Sequence, residues 1–143
     1  MNRLLVVIGV MLCAAVLATP AAAGLRHFHG DVDGGGTVDF DVFFKLGKPT
    51  KAGNFDLAGI PVDCQPSDTR VDFSTGNVVP IRVRNGIPGF SYVFRGFSAW
   101  ISGRIKSNGK GAIGHVGYGE NDLDSTGRSG CTTDGGRKWG AGL

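Results

Sequence analysis

Apolar residues in this chain recur at every second position far more often than at three and four. Between Arg26 and Lys45 they fall at Phe28 and Val32, then at Val38, Phe40, Val42 and Phe44, the spacing of strands with one buried face. Between the two sets stands Asp33-Gly34-Gly35-Gly36. It predicts a reversal, because glycine enters the positive-φ region without steric penalty. The segment therefore reads as a β-hairpin. If Val32 pairs with Val38, the outward row places Asp31 opposite Asp39 and His29 opposite Asp41.

The pattern repeats downstream. Leu46-Gly47-Lys48-Pro49 interrupts it, and Lys51 to Cys64 resumes it with Phe55 and Leu57 at odd positions but Ile60 and Val62 at even ones. That change of phase at Ala58-Gly59 predicts a bulge. After a polar loop at Gln65 to Asp68, Val71 and Phe73 share one face, and Thr75-Gly76-Asn77 predicts a turn. A return strand would follow, carrying Val79, Ile81 and Val83, with Arg82 and Arg84 outward.

Asn85-Gly86 and Asn108-Gly109 are strong hairpin signals. They bracket an extended run from Phe90 to Ile105, broken at Gly96, and lead into Ala112 to Tyr118. Gly119 to Gly130 reads as a long polar loop, and Cys131 to Ala141 as a last strand anchored by Trp139. No window of ordinary length carries helical spacing. The expectation is an all-β domain, an antiparallel β-sandwich or alternatively a flattened up-and-down β-barrel, of about eight to ten strands.

The first residues change what belongs to that domain. Met1 to Ala23 has a basic start at Arg3, an apolar run from Leu4 to Leu17 and Ala21-Ala22-Ala23 before Gly24, the features of a cleaved secretory signal. The run is shorter than a membrane span of about 20 residues. An exported protein without a membrane span is expected, with residues 24–143 as its single domain. Leu, Ile, Val and Phe make up about a quarter of that domain, enough for a core. Its 25 glycines in the full chain follow no three-residue period, which excludes a collagen-like reading. The formal charge of +3, or +2 without Arg3, is too small to indicate nucleic acid as a partner.

Cys13 leaves with the signal, so Cys64 and Cys131 remain in an oxidising setting. A disulfide between them is expected, two free buried thiols being the alternative. Two isolated cysteines lack the close-spaced partners that zinc requires.

The candidate chemistry lies on outward faces. His27, His29, Asp31, Asp39 and Asp41 share the outer face of the first hairpin. Opposed carboxylates repel, so a divalent cation held with imidazole would relieve them; a solvated acidic face is the alternative. No other cofactor is expected. Asp122-Leu123-Asp124-Ser125-Thr126-Gly127 resembles the first half of a calcium loop, but Thr133 stands where a bidentate Glu is needed. No Gly-x-Ser-x-Gly elbow is present, and Asp33 to Thr37 lacks the Lys and Ser or Thr of a phosphate loop. Glu120 is the sole glutamate. These absences favour a non-enzymatic protein. Trp100 is out of phase with Ala99 and Ile101 and so is expected to face outward as a stacking platform for sugars. Arg82, Arg84, Arg95 and Arg104 can form a basic face suited to acidic cell-wall polymers, a solvated sheet face being the alternative.

Several of these stretches resemble small exported all-β proteins of unassigned function found mainly in actinobacteria. The resemblance is carried by Phe28-His29-Gly30, Thr37-Val38-Asp39-Phe40-Asp41-Val42, the lone mid-chain Cys64, Ile101-Ser102-Gly103-Arg104-Ile105 with Ala112-Ile113-Gly114, and Cys131-Thr132-Thr133 before Trp139. It implies a β-sandwich with a disulfide, no catalytic residues, and binding or structural work outside the membrane or in the cell envelope. The Gly119 to Gly130 loop lies outside it.

Overall fold

Nine antiparallel strands make one sheet that curls almost closed on itself. The computed structural model describes residues 23–64, 67–95, 99–119, 130–133 and 135–143. The strands are β1 (Gly24–Val32), β2 (Thr37–Lys45), β3 (Lys48–Val62), β4 (Thr69–Pro80), β5 (Arg82–Arg84), β6 (Ile87–Phe94), β7 (Ala99–Ile105), β8 (Gly111–Tyr118) and β9 (Arg137–Gly142). Their spatial order is β4-β3-β2-β1-β9-β8-β7-β6-β5. Two meanders, β1–β4 and β5–β9, are thus joined by the pairing of β1 with β9. Of the two antiparallel arrangements expected, the barrel is the one that forms. Among the described residues there is no helix, and none long and apolar enough to cross a membrane.

The curl follows from where the large rings point. Alternation along β2 buries Val38, Phe40, Val42 and Phe44. The Phe40 ring meets Phe28 on β1 at 5.3 Å, Phe55 on β3 at 5.9 Å and Trp139 on β9 at 5.5 Å. It also meets Phe90 at 5.3 Å, although β6 lies on the far side of the sheet. Only a sheet wrapped around this cluster lets one ring touch strands so far apart. Burying each such side chain is worth about 1.5–3 kcal/mol, which favours closure over an open, one-sided sheet.

Closure leaves one seam, between β4 and the β5–β6 hairpin. β4 continues through Ile81 into β5, where Ile81 N–H donates to Thr50 O at 2.8 Å. Beside it, Asn77 Nδ2 donates to the Tyr92 hydroxyl at 2.7 Å, and Thr75 Oγ1 lies 3.3 Å from that hydroxyl. The bonds with Thr75 and Asn77 hold the Tyr92 pKa below the ordinary phenol value. Phe73 and Phe94 close the seam from inside with ring centroids at 5.5 Å.

Two local expectations are corrected. Thr75-Gly76-Asn77 is not a turn: it lies within β4, opposite a register shift between Gly53 and Phe55. Asn77 N–H donates to Thr75 Oγ1 at 3.1 Å, a local bond that absorbs the extra residue as a bulge and lets the strand run on to Pro80. The first hairpin also closes two residues tighter than a Val32–Val38 pairing. Val32 N–H donates to Gly36 O at 3.1 Å, so Gly30 pairs with Val38, His29 with Asp39 and His27 with Asp41. The expected phase change at Ala58-Gly59 is present as a register shift between Leu57 and Ile60, with Gly59 at φ 64°.

Cys64 and Cys131 form a disulfide across 67 residues of sequence. In the chain-entropy model a loop of that length restricts the unfolded state by about 4 kcal/mol. Beside it, Asp63 and Thr132 exchange main-chain hydrogen bonds of 2.8 and 2.9 Å. The Arg137 guanidinium donates to the Asp63 carboxylate at 3.1 Å. One end of the barrel is tied there.

Candidate functional site

Because the inner positions are filled by the core, any chemistry on the strands lies on the outer positions, and these separate into two faces of opposite charge. On β1 and β2 the tight turn sets each histidine opposite an aspartate. His27 in its imidazolium form donates from Nδ1 to Asp41 Oδ1 at 3.0 Å and from Nε2 to Asp39 Oδ1 at 3.2 Å. His29 Nδ1 lies 2.7 Å from the same Asp39 oxygen. Asn54, at φ 52° in a bulge of β3, donates to Asp41 Oδ2 at 2.8 Å. Asp39 also faces Asp56 on β3, so there is a carboxylate repulsion to relieve. Hydrogen bonding to Asp41, which outweighs the opposing desolvation, raises the His27 pKa above 6.5, with the hydrogen bond to Asp39 and the charge of both carboxylates adding to it.

An imidazolium at His27, bonded to both Asp41 and Asp39, would ease the repulsion between these carboxylates. Asp31 sits one rung further, opposite Thr37, exposed and outside the hydrogen-bonded set. Among the described residues no three His, Cys, Asp or Glu side chains converge as a metal ion would require. The calcium-like Asp122 to Gly127 segment lies outside the described residues.

Across the barrel the situation reverses. Cross-strand registers assemble outer rows over β5 to β9. One row runs Ser91, Ser102, His115, Lys138; the next runs Arg82, Gly89, Arg104, Ile113; Arg84 opposite Ile87 begins a third. Together they line a groove of about 1140 Å³. Among the described residues no acidic side chain lines it, and from Phe73 to Gly119 the chain contains no Asp or Glu at all. None of Arg82, Arg84, Arg104 or Lys138 makes an ion pair or a side-chain hydrogen bond with a described residue. Arg82, Arg104 and Lys138 stand on alternate strands, β5, β7 and β9, with no like charge directly opposite; their summed positive field would attract an anion.

The chain matches no family model, no curated protein and no solved structure.

Of the four arginines singled out in the sequence, Arg82, Arg84 and Arg104 line the groove; Arg95, in the turn after β6, does not. Trp100 faces outward as expected from its phase, but it is half-buried. Its ring lies over Gly117 and Gly136, where an added Cβ would meet it. Tyr92 and Tyr118 pack against the core, and Trp139 is within it. Lys138, His115, Ser91 and Ser102 were not recognised from sequence, because their meeting depends on registers between four strands. The acid-free run from Phe73 to Gly119 is the signal that would have pointed to them.

Proposed function

We propose that this chain is an exported, non-enzymatic binding module whose β5–β9 groove holds an anionic polymer of the cell envelope. The observation that carries the reading is the basic groove formed by Arg82, Arg84, Arg104 and Lys138, with no carboxylate among its described lining residues. The leader-like residues 1–23, the disulfide, and the resemblance to small exported all-β proteins support an extracellular setting. Serines, an imidazole and guanidinium groups on a rigid sheet suit recognition of phosphate, sulfate or carboxylate. Among the described residues the groove presents no nucleophile paired with a base and carboxylate, which favours binding over catalysis.

The test is binding of inorganic polyphosphate to the mature protein as a function of salt. The affinity should fall steeply with salt, and the slope of log K against log salt should shrink by roughly one for each groove cation removed. In an Arg82→Ser, Arg104→Ser, Lys138→Ser variant, affinity at low salt should drop about 100-fold while the fold persists. Binding that ignores these substitutions would refute the assignment.

A further inference from the structure

We infer that the natural ligand of the groove is an acidic oligosaccharide, with one pyranose ring stacked on Trp100 and its acidic groups carried along to Arg104. This rests on the groove being an anion site and adds to it the chemistry of the ligand. The outer positions of β7 run Trp100, Ser102, Arg104, so the indole and the guanidinium share one face of one strand. Four residues of strand separate them by about 13 Å. That span exceeds a single sugar and calls for an oligomer lying along the strand.

The indole is seated for this use. A Cβ at Gly117 would collide with Trp100 Cε2 and Nε1, and one at Gly136 would come within 3.0 Å of Cη2. The glycines thus take up one face of the ring. Cross-strand partners Val93 and Gly117 flank it, and the ring remains partly exposed, held in one orientation before any ligand arrives. An aromatic face fixed beforehand stacks on the C–H face of a pyranose without losing rotamer freedom on binding. Ser91, Ser102 and His115 occupy the row between the indole and Arg104, where sugar hydroxyls would need hydrogen-bond partners.

A single-stranded nucleic acid is the other polyanion that combines charge with stacking, but it uses several aromatic side chains for successive bases. Here the remaining rings of β6, Phe90, Tyr92 and Phe94, belong to the core or pack against it, leaving Trp100 as the one outer platform on this face among the described residues.

The experiment uses the mature protein labelled with 5-fluorotryptophan, which gives one ¹⁹F signal for Trp100 and one for the buried reference Trp139, the only two tryptophans. Three probes are titrated separately: a galacturonate hexamer, inorganic polyphosphate and a thymidine oligonucleotide. The hexamer should move the Trp100 signal and leave Trp139 in place. Trp100→Ala, with Trp100→Leu as a second variant that still covers Gly117 and Gly136, should weaken hexamer binding roughly tenfold and leave polyphosphate binding unchanged. Polyphosphate binding with an unmoved Trp100 signal on hexamer addition would overturn the sugar assignment while sparing the groove. Trp100-dependent binding of the oligonucleotide above that of the hexamer would overturn it in favour of nucleic acid. Failure of all three probes would remove both the sugar assignment and the groove reading.

Discussion

The β1–β2 face and the β5–β9 face are made by the same device, alternating side chains on paired strands, and they end in opposite electrostatic states. On the first, two rungs answer an aspartate with a histidine, His27 with Asp41 and His29 with Asp39, and Asn54 adds a further donor. On the second, Arg82 and Arg104 flank Gly89, Arg84 faces Ile87 and Lys138 faces His115, with no acidic side chain among the described residues that line the groove. Charge that is answered inside the molecule needs no partner. Charge left unanswered on a rigid groove is the stronger sign of a ligand. Before the registers were known the histidine-aspartate face had the richer set of chemical groups; its internal pairing makes it the less available of the two.

The comparison breaks most readily from beneath the basic face. Trp139 spreads under β8 and β7, where a Cβ at Gly114 would strike Ser102 O and approach Trp139 Cζ2 to 2.6 Å. Gly114→Val should therefore destabilise the domain by about 2–3 kcal/mol, as overpacking at a closed site does. Chemical denaturation measures it, and an unchanged midpoint would mean that the strands under the groove yield easily. On the acidic face the expected effect is smaller. Asp39→Asn removes the carboxylate shared by His27 and His29, yet both imidazoles are exposed, so the loss should be about 0.5 kcal/mol. Polyphosphate affinity should not change. A larger effect on binding than on stability would show that the two faces are coupled.

The smallest effect is a pH dependence. The His27 pKa is raised above 6.5 in the folded chain by Asp41 and Asp39. The stabilisation from its imidazolium is therefore fully present below pH 6.5 and fades as pH rises through the raised value. An NMR titration of the His27 ring should place its midpoint above 6.5 in the wild type and lower in an Asp39→Asn, Asp41→Asn variant. Equal midpoints in the two proteins would contradict the bridging role.

Legibility from sequence followed the range of the interactions. Asn85-Gly86 carries the positive φ angles of a two-residue turn at 51° and 76°, and the odd-to-even switch around Gly59 marked a bulge, because both depend on neighbours in the chain. The cysteine pairing was legible from compartment and count. The first turn was not resolved to the residue, since Asp33-Gly34-Gly35-Gly36 admits loops of different length, and a shift of two residues exchanged every outer partner. Thr75-Gly76-Asn77 has turn composition, but the β3–β4 ladder absorbs it. The choice of barrel over sandwich turned on Phe40 meeting Phe90, a contact between distant strands that no local pattern encodes. For the site, the arginines of β5 and β7 were visible as outward residues. Lys138 and His115 joined them only through the order β9-β8-β7-β6-β5.

The most direct test of the contrast between the two faces is a backbone amide NMR map of residues 24–143 titrated with polyphosphate. Shifts concentrated at Ser91, Ser102, Arg104, His115 and Lys138, with His27, His29, Asp39 and Asp41 unmoved, are the predicted result. Shifts centred on the β1–β2 rungs, or none on either face, would contradict it.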